Sequence, residues 1–341
     1  MLPSVSLDEL AARFSVDPAP LKRVAARYPF HLTSYYADLI QQPGDPIWRQ
    51  CIPDPAELSD DGQHPDPLDE VRLSPVPGLI HRYPDRAVLL ASNSCAVYCR
   101  FCMRKRQVGC GATSLDLDRA IDYIADTPKL RDIILSGGDP LLLPIDQLHQ
   151  LLTRLRAIAH LEIIRIGSRV PVTAPALISG ELCRMLASHQ PLYLNTHFNH
   201  PRELTIQAAQ ACARLADAGI PLGNQTVLLK GVNDTTEVLA ELFSGLLRLR
   251  VRPYYLHQMD LVQGTAHFRT PLARGMELIS GLRGPVSGMA IPQFVVDLPG
   301  GQGKIPLLAE TAQSGTDGWM IRNLAGETVA YRDPAPRSSG C

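Results

Sequence analysis

Ala91-Ser-Asn-Ser-Cys-Ala-Val-Tyr-Cys-Arg-Phe-Cys-Met-Arg-Lys-Arg106 is the stretch from which the rest of the chain is read. It sets Cys95, Cys99 and Cys102 in C-x3-C-x2-C spacing directly after Ala87-Val-Leu-Leu-Ala91, an apolar run with the character of a buried strand. Three thiolates gathered in one short loop suit a metal. An iron-sulfur cube normally takes four cysteine ligands, so a loop with three leaves one iron open to something else. Zinc is the competing reading, because tetrahedral zinc accepts cysteine and Cys110 is near enough in sequence to be a fourth ligand. Structural zinc sites draw on two close pairs rather than one irregular triplet, which favours iron and sulfur.

With 341 residues, 45% of them hydrophobic, and a net charge of -1, the chain can bury a full core and has no charge excess pointing to nucleic acid or an anionic membrane. No apolar run approaches the roughly 20 residues that span a bilayer. The start, Met1-Leu-Pro-Ser-Val-Ser-Leu-Asp-Glu, lacks the basic-then-apolar order of a signal peptide, so a cytoplasmic location is expected. Eight cysteines over this length are not a disulfide framework, and a reducing compartment suits thiolate ligation. Cys51, Cys183 and Cys212 read as small core residues.

Residues 1 to about 80 read as short helices joined by proline-rich connectors. Leu7 to Phe14 and Leu21 to Tyr28 carry apolar residues at three-to-four spacing, whereas Cys51 to Pro67 holds too many breakers for either period. This region is expected to be a helical wrap or an oligomer contact without chemistry of its own. From about residue 86 a βα alternation runs for six rounds. The strands are Ala87 to Ala91, Asp132 to Leu135, Leu161 to Ile166, Leu192 to Thr196, Pro221 to Leu229 and Arg252 to His257. Helical patterns lie between and after them at Leu115 to Ala125, Ile145 to Ile158, Ala176 to Ser188, Glu203 to Ala218 and Glu237 to Leu249. Six units fall short of a closed eight-fold barrel, and the pattern alone also permits a doubly wound sheet.

Polar residues collect just after the strands: Cys95, then Ser136-Gly-Gly-Asp139, Gly167-Ser-Arg169, His197, Gln225 and Asp260. In a β/α barrel the loops at the C-terminal ends of the strands build the active site, so these groups are expected at one mouth. Ser136, Gly137, Gly138 and Asp139 offer a backbone that a ligand can approach closely, with an acid able to take an ammonium group; alone, the motif is also an ordinary turn. Near the other end, Phe294-Val-Val-Asp-Leu-Pro-Gly-Gly-Gln-Gly-Lys-Ile-Pro306 is a strand followed by a glycine-rich loop with Lys304. A phosphate-cradling P-loop needs Ser or Thr after the lysine, and Ile305 stands there instead. A lysine flanked by apolar residues can be desolvated, which frees its neutral amine for a Schiff base; the alternative is an exposed loop lysine.

The cysteine triplet resembles the cluster loop of the radical S-adenosylmethionine (SAM) enzymes. The resemblance implies a [4Fe-4S] cluster on Cys95, Cys99 and Cys102 whose fourth iron is chelated by SAM, with Phe101 packing near the adenosyl group. It also implies that Ser136, Gly137, Gly138 and Asp139 meet the methionyl amino group, and that His197 and Gln225 are further SAM or cofactor contacts. An open crescent of six βα units is the fold it implies.

From Pro77-Gly-Leu-Ile-His-Arg-Tyr-Pro-Asp-Arg86 through Arg165-Ile-Gly-Ser-Arg-Val-Pro-Val172, Leu194-Asn-Thr-His-Phe-Asn-His-Pro201, Gly223 to Asp234 and Arg252-Pro-Tyr-Tyr255 to the Lys304 loop, the chain resembles the lysine 2,3-aminomutase family. That resemblance covers about residues 75 to 335. It implies pyridoxal 5'-phosphate (PLP) carried on Lys304, its phosphate held by Arg86, the substrate carboxylate by Arg104, and the side-chain ammonium of L-lysine by Asp260 and Asp297. The plainer role for these two acids is pairing with Arg252 or Arg283. Two carboxylates facing a pocket would repel the acidic side chain of glutamate, the substrate of a variant in the same family.

The sequence departs from the longer family members, which bind zinc between subunits with a C-terminal cysteine cluster and a cysteine after Gly-Val-Asn-Asp. Here the second position is Thr235 and the chain stops at Cys341, so no zinc is expected and tetramer formation is in doubt.

The expected fold class is α/β, a partial (β/α)6 TIM-like barrel of the radical SAM type. A helical extension over 1–80 precedes the barrel at 81–290, and a segment with the PLP lysine follows at 291–341. The expected reaction is interconversion of L-lysine and β-lysine by radical 2,3-amino migration. A low-potential electron donor such as flavodoxin or ferredoxin is the implied partner, together with assembly into a homo-oligomer, dimer or tetramer. A β-lysine-forming enzyme serving elongation factor P modification, a 2,3-aminomutase for another amino acid such as glutamate, and a metal-binding redox module are the alternatives.

Overall fold

The computed structural model describes residues 2–59, 63–110, 115–308, 312–315, 318–323 and 327–331. Its main sheet has nine strands in sequence order: β1 Leu79–Tyr83, β2 Arg86–Ser92, β3 Asp132–Gly137, β4 Ile163–Gly167, β5 Leu192–Thr196, β6 Leu222–Leu228, β7 Val251–Gln258, β8 Gln293–Asp297 and β9 Lys304–Pro306. β2 through β8 run parallel, and β1 and β9 are antiparallel additions at the two edges. A separate three-stranded antiparallel sheet, β10 Ala312–Gly315, β11 Gly318–Arg322 and β12 Thr328–Tyr331, follows. Among the described residues no helix is long and apolar enough to cross a membrane.

The two-residue period of the strands separates packing from chemistry. Ile133 and Leu135, Ile164 and Ile166, and Leu192 and Leu194 are buried in the hydrophobic core. Their alternates Ile134, Arg165, Asn195, Gln225 and Tyr255 face a cavity on the inner side of the sheet. The crossover helices cover the outer face with one apolar stripe each: Ile145–Arg156 buries Leu148, Leu151, Leu152 and Leu155, and Thr236–Arg248 buries Leu239, Leu242, Phe243 and Leu246. Caps set where they begin. Asp116, Ser179, Thr205 and Thr235 each accept a backbone N–H from the first turn of the helix that follows. Thr235 is therefore a helix cap, a role for which its hydroxyl is suited.

The six expected strands are all present, and the sheet goes further than the pattern suggested. β8 adds a seventh parallel strand beside β7, and β1 pairs with β2 in a tight hairpin with Tyr83 opposite Arg86. β8 and β9 lie in the expected C-terminal segment, yet they extend the barrel sheet itself. The sheet curls until its edges meet through side chains: the Lys304 backbone N–H donates to Tyr83 Oη at 2.9 Å, and Arg82 on β1 donates to Asp297 at the end of β8, also at 2.9 Å. No backbone ladder joins β1 to β9, so the barrel stays open.

The amino-terminal region, expected to be without chemistry of its own, sends side chains to the cysteine loop and the cavity. Glu57, fully buried, holds both Arg100 (2.6 Å) and Lys105 (2.6 Å) from the cysteine loop. Gln50 and Tyr36 reach Arg169, and Glu70 reaches the cavity. None of this could be read locally, because these acids and amides lie in helix ends and in the proline-rich connector. Cys51, Cys183 and Cys212 are buried, as expected of core residues.

Candidate active site

A cavity of about 720 Å³ opens over the inner face of the sheet, and every residue singled out in the sequence as a candidate site residue lines it. The sheet therefore brings the polar strand ends to one mouth. Cys110 does not line this cavity.

Cys95, Cys99 and Cys102 share one wall. Burial pushes the Cys102 thiol up to about 11, and the neighbouring Cys99 adds to the rise. Burial likewise raises Cys95 far above its ordinary value, with Asp139, Cys102 and Cys99 contributing. Thiols that oppose one another's ionisation face a common space, and a polycation placed there reverses the balance. Among the described residues no three His, Cys, Asp or Glu side chains are disposed around a single metal ion. A four-iron cube meets its thiolates on separate irons, and three thiols from one loop lining one cavity are a donor set that fits it.

The Gly137-Gly138 pair has a structural explanation. Gly137 has φ +110°, and a Cβ there would collide with Ser92 O, while one on Gly138 would collide with Ser94 O. Gly138 and Asp139 donate their N–H groups to those same two carbonyls at 2.6 and 2.8 Å. What the glycines approach closely is thus the backbone leading into the cysteine loop. Asp139 is buried and saturated: it accepts from Ser168 Oγ (2.7 Å) and from the backbone N–H groups of Arg169 (2.7 Å), Val170 (3.1 Å) and Leu141 (3.1 Å). Burial still raises its carboxyl above the ordinary value, against the pull of these donors. In this arrangement Asp139 locks the loop after β4 to the loop after β3.

Phe101 is buried edge-on to His197, with ring centroids 5.5 Å apart. Burial, helped by Arg169 and His257, holds His197 well below the usual imidazole range, so the ring is neutral. Among the described residues its buried Nε2 has no hydrogen-bond partner, and neither has Nε2 of His257. Two neutral imidazoles with idle nitrogens at one cavity are ready to meet a polar ligand.

Lys304, Asp297 and His257 form a second cluster in the same cavity. The Lys304 ammonium is hydrogen-bonded to Asp297 Oδ2 and lies 3.1 Å from His257 Nδ1. Asp297 also accepts from Arg82. Burial alone would raise the Asp297 carboxyl, but His257, Lys304 and Arg82 together hold it well below the usual carboxylate range. Lys304 is thus ion-paired rather than enclosed by apolar side chains, and Asp297 takes Arg82 and Lys304 as partners rather than Arg252 or Arg283.

Asp260 is the contrast: it makes no hydrogen bond or ion pair among the described residues. Burial, with the charge of Asp297 behind it, pushes its carboxyl up to about 7. Arg104 donates to Glu70 at 2.7 Å and to Ser136 Oγ at 3.2 Å. Glu70, although buried, is held below its ordinary value by Arg104 and Arg106. Arg86 pairs with the exposed Asp85 and lies over the Tyr83 ring, 3.9 Å from its centroid.

Four residues at or beside the cavity were not assigned roles from the sequence: Arg82, His257, Arg169 and Glu70. His257 ends a strand, and the rule that selected the other strand-end residues could have found it. Arg82 and Glu70 carry no local signal, being an edge-strand residue and a connector residue.

The site can be set beside known proteins. Residues 89–243 match the radical SAM superfamily, and residues 279–340 match a family described as lysine-2,3-aminomutase. The chain is 49% identical over 317 residues to an L-lysine 2,3-aminomutase of Clostridium subterminale, covering 91% of this chain and 76% of that one. It is 50% identical over 310 residues to an L-lysine 2,3-aminomutase of Fusobacterium nucleatum subsp. nucleatum, covering 89% and 73%. A glutamate 2,3-aminomutase of Clostridioides difficile is 41% identical over 319 residues, covering 92% and 76%.

Proposed function

The chain belongs to the lysine 2,3-aminomutase family of radical SAM enzymes, and from that premise we propose that its own substrate is L-lysine, converted to β-lysine by moving the 2-amino group to C3. It is an isomerase that uses a [4Fe-4S] cluster, SAM and PLP. When bound, these groups supply a hydrogen-abstracting radical and a π system across which nitrogen migrates. The chain's residues bind, orient and shield.

In this reading Cys95, Cys99 and Cys102 hold the cluster, with Phe101, Ser136, Gly137, Gly138, Asp139, His197 and Gln225 around SAM. Lys304 carries PLP, and Arg86 takes its phosphate, with Arg165 on the same cavity wall. Arg104 exchanges part of its contact with Glu70 for the substrate carboxylate.

The observation that carries the choice of lysine is Asp260, a carboxyl in the cavity wall without a partner among the described residues and with Asp297 as its charged neighbour. A substrate ammonium would complete it. A glutamate side chain would add a further negative charge beside Asp260, Asp297 and Glu70. We also infer that a low-potential donor such as flavodoxin or ferredoxin delivers the electron, that the protein is a homo-oligomer, and that it works in the reducing cytoplasm. The direct test is anaerobic incubation with SAM, PLP, a reductant and either lysine or glutamate, followed by chiral analysis of the products. β-Lysine from lysine and no β-glutamate from glutamate is the expected result. The reverse would replace lysine as substrate.

A further inference from the structure

We infer that Arg169 is a positioning residue that sets the ease with which the cluster on Cys95, Cys99 and Cys102 accepts an electron, through its hydrogen bond to the Cys99 sulfur. The inference rests on the reading of those cysteines as cluster ligands. Arg169 NH1 donates to Cys99 Sγ at 2.9 Å, and among the described residues it donates to nothing else. The rest of the guanidinium is clamped. NH2 meets Glu203 Oε1 (2.7 Å), Gln50 Oε1 (2.6 Å) and Tyr36 Oη (3.0 Å), and Nε donates to His197 O at 3.1 Å. Arg169 is only 8% exposed, and its backbone N–H is pinned by Asp139.

A buried cation of this kind is balanced by a carboxylate, and here the balance is partial. Glu203 divides itself among several donors: Tyr36 Oη reaches Oε1 at 2.6 Å, and the backbone N–H groups of Asn199 and His200 reach Oε2 at 2.6 and 2.9 Å. Positive charge therefore remains directed at the sulfur. When one electron from an external reductant enters a [4Fe-4S] cluster, the cluster gains one negative charge and no bond is broken. An N–H donor on a ligand sulfur and a nearby buried cation favour the more negative, reduced form, the more so in a medium of low dielectric constant. The geometry also gives the amino-terminal region a part in the redox chemistry, because Tyr36 and Gln50 hold the arginine in place.

The test is a redox titration of the anaerobically reconstituted holoenzyme without SAM, followed by the electron paramagnetic resonance signal of the reduced cluster, with iron and sulfide measured on each sample. R169Q is expected to lower the reduced-to-oxidised ratio at a fixed potential by roughly tenfold, a negative shift of about 59 mV for a one-electron couple. R169K, which keeps the charge without the fork, should shift less. E203Q, which removes the opposing carboxylate, should shift in the positive direction. Fully loaded R169Q at the parent's midpoint overturns the inference. Should R169Q not load, an E203Q midpoint equal to the parent's overturns it instead. A parent chain that takes up no cluster on these cysteines overturns both this inference and the reading of the site.

Discussion

At the cysteine wall of the cavity Asp139 accepts four hydrogen bonds and Arg169 has donors on Glu203, Gln50, Tyr36, His197 and Cys99. In the part of the cavity around Lys304, by contrast, Asp260 has no hydrogen-bond partner among the described residues, His257 leaves Nε2 idle, and Asp297 is shared between Arg82 and Lys304. Asp139 and Arg169 already have their partners, so in the proposed function they form a preorganised mount beside the cluster. The group around Lys304 is, in the same reading, suited to exchange. Its ionised groups hold one another only until a ligand offers better partners, which suits a site that must take up and release a substrate.

The sharpest way to break this comparison is at the cysteines. Cys99→Ala should lose the broad visible absorption and the iron of the cluster altogether, whereas Cys110→Ala should keep both. Loss of iron in the Cys110 variant would mean a four-cysteine site, and the three-ligand mount would have to be abandoned. In the exchanging group, Lys304→Ala should abolish the near-ultraviolet to visible absorption of lysine-bound PLP while leaving iron content at the parent level. If that absorption survives, another lysine is the anchor.

A smaller effect separates the two acids. A charge-assisted hydrogen bond is worth about 1.5 to 3 kcal/mol, so Asp260→Asn should lower kcat/KM for lysine by roughly ten- to a hundredfold or more. Norleucine, which has no distal ammonium, should be affected far less. Asp297→Asn should harm both substrates, because it also strips Lys304 and Arg82 of their counter-ion. Equal losses for lysine and norleucine in the Asp260 variant would show that this acid does not read the substrate.

The smallest expected effect is on the ligand-free fold. The Asp260 carboxyl is raised from 3.8 to about 7, so the folded chain binds this proton more tightly than the unfolded chain does. Its contribution to stability is then lost as pH rises from the lower value through the upper one. Asp260→Asn should melt with the parent near pH 4 and above it at pH 8, by scanning calorimetry. The same linkage makes lysine capture by the parent improve as pH rises through 7, and this rise should be absent in the asparagine variant.

The strands and crossover helices were legible because their signals are local. An apolar alternation, a cap residue and a cysteine spacing are all complete within a dozen residues. β1 and β9 were harder to read, being short edge strands of five and three residues without a full period. The site was legible in part because polar residues follow strands, as Cys95, Ser136, His197 and Asp260 do, whereas Arg86, Arg104 and Asp297 came from the family resemblance; all of them line one cavity. The role of Gly137 and Gly138 was only half legible. Glycine announces a close approach, and the sequence does not say that the approach is to Ser92 and Ser94.

Taken by itself, the sequence determined the cysteine loop, the order of βα units and the presence of Lys304, Asp260 and Asp297 on strand-end segments. Only the tertiary structure decided which charges neutralise one another. It pairs Arg82 with Asp297 and Arg104 with Glu70, and it sets Arg169 against Cys99 and Glu203, while among the described residues Asp260 has no hydrogen-bond or ion-pair partner. The partner of a buried carboxylate is whichever cation lies a few ångströms away in space, and the curl of the sheet brings residues 82 and 297 together across 215 positions of chain. No local period carries that information, because electrostatic balance is a property of distance and burial rather than of order along the chain.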